Sequence, residues 1–110
     1  MIMRIYRCTV IPGKEVQRRE FAFKKAHPTL SKDKGLVAFY AGKPLRDSDD
    51  RTRCMVQIWE SLDALKDARG ANWNEPMKAL PDEVRDIYDT ATVEHFELAD
   101  THQNHIETHD

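Results

Sequence analysis

Val56-Gln57-Ile58-Trp59-Glu60-Ser61-Leu62-Asp63-Ala64-Leu65 reads as a strand that ends in a tryptophan and passes directly into a helix. Residues up to Trp59 are mostly β-branched or aromatic, the types that fit a pleated surface. Ser61 suits the N-cap because its hydroxyl accepts from first-turn amides, and Asp63 complements the helix dipole. Gly70 suits the left-handed residue that closes a helix, so the helix is expected over residues 62–69 with Leu62 and Leu65 on its apolar stripe. Much later, Val93-Glu94-His95-Phe96-Glu97 reads as the last strand, with a histidine in mid-strand. Together these runs put an indole donor and an imidazole on neighbouring elements of one small sheet, where they could face a shared pocket.

Outward from these two runs the chain supplies the remaining elements. Residues 3–11 are rich in strand formers and end at the turn signal Pro12-Gly13. Residues 14–27 contain no Gly or Pro and place Val16, Ala22, Phe23 and Ala26 on one stripe, which predicts an amphipathic helix that Pro28 stops. Arg19 falls in the same stripe, either burying its stem with its charge in water or turning toward a ligand. Residues 35–42 and 53–59 read as a hairpin with a long polar loop between them. The segment 71–81 carries Trp73, Pro76, Met77 and Leu80 as apolar anchors without regular structure. Pro81 then opens a short helix through Tyr88, and residues 90–98 return as a strand.

The order strand, helix, strand, strand, helix, short helix, strand predicts an α+β, ferredoxin-like βαββαβ domain: a four-stranded antiparallel sheet with helices on one face. A sheet covered on one face alternates apolar and polar residues. Here Val37, Ala38, Phe39, Tyr40 and Ala41 are apolar at every step, and the run from Cys54 to Trp59 is broken only by Gln57. Both faces therefore require cover, and the chain has helices for one. A homodimer with sheets packed face to face satisfies the other.

Length and composition set limits. The 110 residues fit one domain, expected over residues 1–98, with a polar tail over 99–110. An apolar fraction of 40% with 33% charged residues fits a folded globular chain. The net charge of −2, with Lys and Arg spread among the acids, offers no footprint for nucleic acid. No apolar run reaches the roughly 18 residues of a membrane span, and no secretory leader is evident, so a cytoplasmic protein is expected. Cys8 and Cys54 lie in apolar strands and read as buried free thiols. Asp47, Ser48, Asp49 and Asp50 lack the spacing and glycine of a calcium loop and read as solvated. In the tail, His102, His105 and His109 would share one face of a helix, a spacing that can bind zinc or nickel, but a polar terminus reads first as a solvated extension. No specific metal site is expected.

Over residues 3–98 the sequence resembles the antibiotic biosynthesis monooxygenase domains of the dimeric α/β-barrel superfamily. Gly35-Leu36 opening the second strand, Val56-Gln57-Ile58-Trp59-Glu60-Ser61 with Ala64-Leu65, Trp73, and Val93-Glu94-His95-Phe96 carry the resemblance. It implies a pocket in each subunit between helices and sheet, separate from the barrel interior at the dimer interface. It also implies, for some relatives, oxidation of phenolic or quinol-type molecules by dioxygen with no metal or flavin, the substrate supplying the electrons. That chemistry asks for an apolar cavity, a base that ionises the substrate and donors that stabilise the anion.

His95 is the candidate base, since an imidazole titrates near neutral pH; its alternative role is a hydrogen bond across the last strand. Trp59 is the candidate donor; its alternative role is packing mass with a satisfied N–H. Tyr6, Tyr40, Asn72, Trp73 and Arg19 are the candidate substrate-lining residues. The expected activity is therefore cofactor-independent monooxygenation of a small aromatic molecule. The competing class is a noncatalytic binding or interaction module whose cavity is filled by Tyr40, Met55 and Trp59. An open, partly polar cavity beside His95 separates the two. A haem-degrading branch, whose pattern the resemblance implies needs an Asn in strand one and a His on the helix after Trp59, is matched only at Trp59: residues 62–70 contain no His.

Overall fold

Strand β1 (Ile2–Val10) lies between β3 (Thr52–Trp59) and β4 (Tyr88–Glu97), and β2 (Leu36–Gly42) adds the edge beyond β3. Every neighbouring pair is antiparallel, giving the order β2-β3-β1-β4 of a ferredoxin-like α+β domain. This computed structural model describes residues 1–46, 50–78 and 80–100. The expected acidic-loop residues Asp47, Ser48 and Asp49 and the tail histidines lie outside the described residues.

Strand alternation sorts the side chains onto two faces. Arg4 stands opposite Gln57 and His95, Tyr6 opposite Met55 and Val93, and Cys8 opposite Arg53 and Ala91, all on the face toward the helices. Met3 opposite Ile58 and Phe96, and Ile5 opposite Val56 and Glu94, occupy the back face. Cys8 and Cys54 are both free, on opposite faces of the sheet. A register shift between Leu36 and Ala38 lets β2 keep Phe39 on the helix side opposite Gln57 and turns Tyr40 to the back.

The helix layer differs from the sequence reading at Pro28. Helix α1 (Glu15–Phe21) continues through a π-helical turn (Ala22–Ala26) into α2 (His27–Ser31), with Pro28 in the first turn of α2. The wide π turn resets the hydrogen-bond ladder, so Pro28 opens a new segment where its missing N–H breaks no helical bond. That reset also displaces the apolar stripe: Val16 and Phe23 are each 66% exposed, while Phe21 packs on the cluster Val10, Val84 and Ile87. The short helix expected from Pro81 to Tyr88 is a single 3₁₀ turn (Asp82–Val84), and Tyr88 already belongs to β4.

Helix α3 (Leu62–Arg69) has the expected bounds, with Ser61 Oγ accepting from Ala64 N at 3.0 Å and Gly70 at φ 76° beyond its end. Leu65 is fully buried; Leu62 remains partly exposed. Gly35 lets α3 approach β2 closely, since a Cβ there would stand 2.4 Å from the Ala64 Cβ. No helix among the described residues is long and apolar enough to cross a membrane.

Candidate functional site

Between the helices and the sheet lies an open cavity of about 1110 Å³. Its sheet side presents Arg4, Tyr6 and Cys8 from β1 and Met55 and Gln57 from β3. The helical cover contributes Phe21, the whole π-helical turn, His27 and Leu30, and Tyr88 closes one side. The wall carries five arginines and four lysines against Glu15 and Glu83, on a chain whose net charge is −2. Such a concentration of one sign in a concave site favours anions within it.

Arg4 is the polar centre of the floor. Only 2% of it is exposed, because strand alternation turns it under the helices. Nη1 donates to the Trp73 carbonyl at 2.6 Å and to His95 Nε2 at 2.8 Å, and the guanidinium carbon sits 5.6 Å from the Tyr6 ring centre. An arginine has only donors, so His95 accepts through Nε2 and is the neutral imidazole with its proton on Nδ1. Burial and then the Arg4 charge hold the His95 pKa below its ordinary value. Burial and then nearby Arg69 lower Arg4 to about 10, which leaves it charged at neutral pH. Its Nε is buried and has no hydrogen-bond partner.

A second relay runs along β3. Trp59 is 0% exposed and donates its indole N–H to Gln57 Oε1 at 3.0 Å. Gln57 Nε2 then lies 3.3 Å from Met55 Sδ, so the tryptophan fixes the orientation of an amide on the cavity wall. The Arg69 guanidinium lies over the Trp59 ring at 5.2 Å and pairs with Asp33 at 3.0 Å. Toward the other end, Glu15 bridges Arg18 and Arg53, each at 2.9 Å. Burial raises the Glu15 carboxyl, but hydrogen bonds from the two arginines outweigh it and hold the pKa below its usual range. Burial pushes the Cys8 thiol up to about 11 and the Tyr88 phenol to about 12, and raises Tyr6 as well, so all three are protonated at neutral pH.

The seven residues singled out from sequence fall into three groups. Tyr6 and Arg19 line the cavity, Tyr6 with its hydroxyl donating to the Pro76 carbonyl. His95, Trp59 and Trp73 stand one residue behind the wall: His95 behind Arg4, Trp59 behind Gln57, and the Trp73 ring against His95 at 4.8 Å. Tyr40 and Asn72 do not join them. Tyr40 is 65% exposed on the back face, where the β2 register turns it, and Asn72 is exposed in the 3₁₀ turn Gly70–Asn72.

Arg4, Gln57, Arg69 and His27 are on the wall and were not singled out. The alternation Ile2, Arg4, Tyr6, Cys8, Val10 is the signal that puts Arg4 beside Tyr6. His27 was hidden by reading Pro28 as a stop; its ring meets Phe23 at 5.3 Å and Phe39 at 5.4 Å. Helix α3 has no histidine, so the iron-ligand position of the haem-degrading pattern has no counterpart there. Among the described residues, no cluster of three His, Cys, Asp or Glu side chains could hold a metal ion.

No protein-family model matches the sequence, and no curated protein matches it. Solved structures match over nearly the whole chain. The cofactor-independent oxygenase SnoaB from Streptomyces nogalater is 19% identical over 91% of this chain and 94% of its own, with a TM-score of 0.65. A candidate antibiotic biosynthesis monooxygenase from Deinococcus radiodurans is 12% identical over 96% and 99%, at 0.74. A point mutant of MhuD with two manganese protoporphyrin IX bound per active site is 17% identical over 94% and 100%, at 0.66. The fold of this chain is that of the antibiotic biosynthesis monooxygenase domains, as the sequence resemblance implies.

Proposed function

We propose that this protein is a cofactor-independent monooxygenase of small aromatic, phenolic or quinol-type molecules, working as a homodimer. The observation that carries this reading is the open cavity with a polar floor of Arg4, Tyr6 and Gln57 beneath apolar walls. It is the cavity that distinguishes an enzyme from a module packed solid, because Met55 lines it instead of filling it and Trp59 lies behind it. The reaction needs no outside reductant: an anthrone methylene and dioxygen become a carbonyl and water, with the substrate giving all the electrons. The protein has to bind the substrate, favour its anion and exclude water.

In this reading Arg4 lowers the pKa of a substrate hydroxyl placed against it and stabilises the resulting anion. His95 is a positioning residue, since its lone pair holds Nη1 of Arg4. Trp59 positions Gln57 in the same way. The second subunit covers the back face, where Met3, Ile5, Val56 and Ile58 lack cover and Phe96 is 44% exposed. Oxygen uptake with a panel of hydroquinones and anthrones tests the activity. At least one compound should give substrate-dependent uptake that falls in His95→Ala. Absence of uptake with every compound would overturn the enzyme reading, and unchanged uptake in the variant would remove His95 from it.

A further inference from the structure

Among the described residues, the cavity arginines differ in one respect. Arg18, Arg53 and Arg69 each have a carboxylate within 3.0 Å, whereas Arg4, more buried than any of them, has none. Arg4 spends Nη1 on the Trp73 carbonyl and His95, and leaves the edge formed by Nε and Nη2 without a bond. A buried guanidinium without a counter-charge is unfavourable and is retained where a ligand supplies the charge. That free edge presents two parallel N–H donors, the planar fork that a carboxylate accepts. The rings of Phe21 and Tyr88 with Leu30 and Met55 provide an apolar slot leading to it. The excess of cationic side chains on the wall draws negatively charged ligands toward the same slot.

We propose that the cavity takes an aromatic carboxylate, with the acid group seated on the Nε–Nη2 edge of Arg4. This names the substrate class for the oxidation proposed above and rests on that reading only for the reaction, not for the binding. His95 and the Trp73 carbonyl set the edge by holding the opposite nitrogen. Tyr6, protonated and beneath the guanidinium, supports it from one side. A phosphate dianion fits less well, because the neighbouring arginines are already neutralised by Glu15 and Asp33.

Calorimetric titration of the full-length protein under anaerobic conditions, at low ionic strength, compares 1-naphthoate with its neutral isostere 1-naphthamide. The acid should bind at least about tenfold more tightly, the scale of a hydrogen bond to a charged group. Arg4→Met should bring the acid down to the affinity of the amide. Equal binding of acid and amide by the natural protein, no binding of either, or an acid preference that survives Arg4→Met would each overturn the proposal. The comparison of the two probes decides even if the variant does not fold. Tight acid binding with no oxygen uptake from any hydroxylated aromatic acid would leave the seat standing and remove the oxidation.

Discussion

The two faces of the sheet are built from the same strands and differ in almost every physical respect. Toward the helices, the two central strands present Arg4, Tyr6, Arg53 and Gln57 around an open cavity. Toward the back they present Met3, Ile5, Val56 and Ile58, with the Arg7–Glu94 pair at 3.0 Å as a polar element. A domain that used its helices simply to bury apolar surface would have the reverse distribution. Polar groups under the helices and apolar ones outside mean that the covered face is a binding site and the uncovered face is a contact surface.

The back face is most easily broken by charge. Ile5→Asp should place an unpaired carboxylate in each half of the interface, at a cost of about 3–5 kcal/mol, and convert the dimer to monomer. Sedimentation equilibrium reads this directly, and an unchanged mass would separate Ile5 from any interface. On the helix side, Gly35→Ala drives a Cβ into Ala64, and its cost of about 1–3 kcal/mol should appear in urea unfolding. If stability is unchanged, α3 is not pressed against β2 as described.

Arg4→Met should sharpen the contrast by its sign. Replacing a buried, unpaired charge with an apolar side chain of similar length should raise stability by about 1 kcal/mol or more in the absence of ligand. A polar residue kept at the expense of stability is one kept for binding; a loss of stability instead would make Arg4 a structural element. The smallest effect expected is a pH dependence. The native state holds the His95 pKa below the unfolded value near 6.5, so the unfolded chain binds more protons in that range. Stability should therefore fall as pH drops through 6.5 and level off below the native pKa, and His95→Gln should flatten that part of a thermal-melt profile.

Elements governed by local chemistry were legible in the sequence. Ser61, Asp63 and Gly70 fixed both ends of α3, and the β-branched runs located all four strands to within about two residues. The homodimer expectation came from apolar residues on both faces, which depends only on strand periodicity. What failed was whatever depended on register across a change of ladder. The π-helical turn moved Val16 and Phe23 out of the stripe assigned to them, and the β2 register shift sent Tyr40 to the back. At the candidate site, His95 and Trp59 were found because they are conspicuous residue types. Arg4 and Gln57, which reach the cavity, were missed because a polar residue within an apolar strand was not followed along its alternation.

Sedimentation velocity of the natural protein at micromolar concentration tests the unlike-faces account most directly. The account predicts a single species of twice the chain mass, with the Met3–Ile5–Val56–Ile58 surface closed against its copy. A single-chain mass that persists on concentration would contradict it.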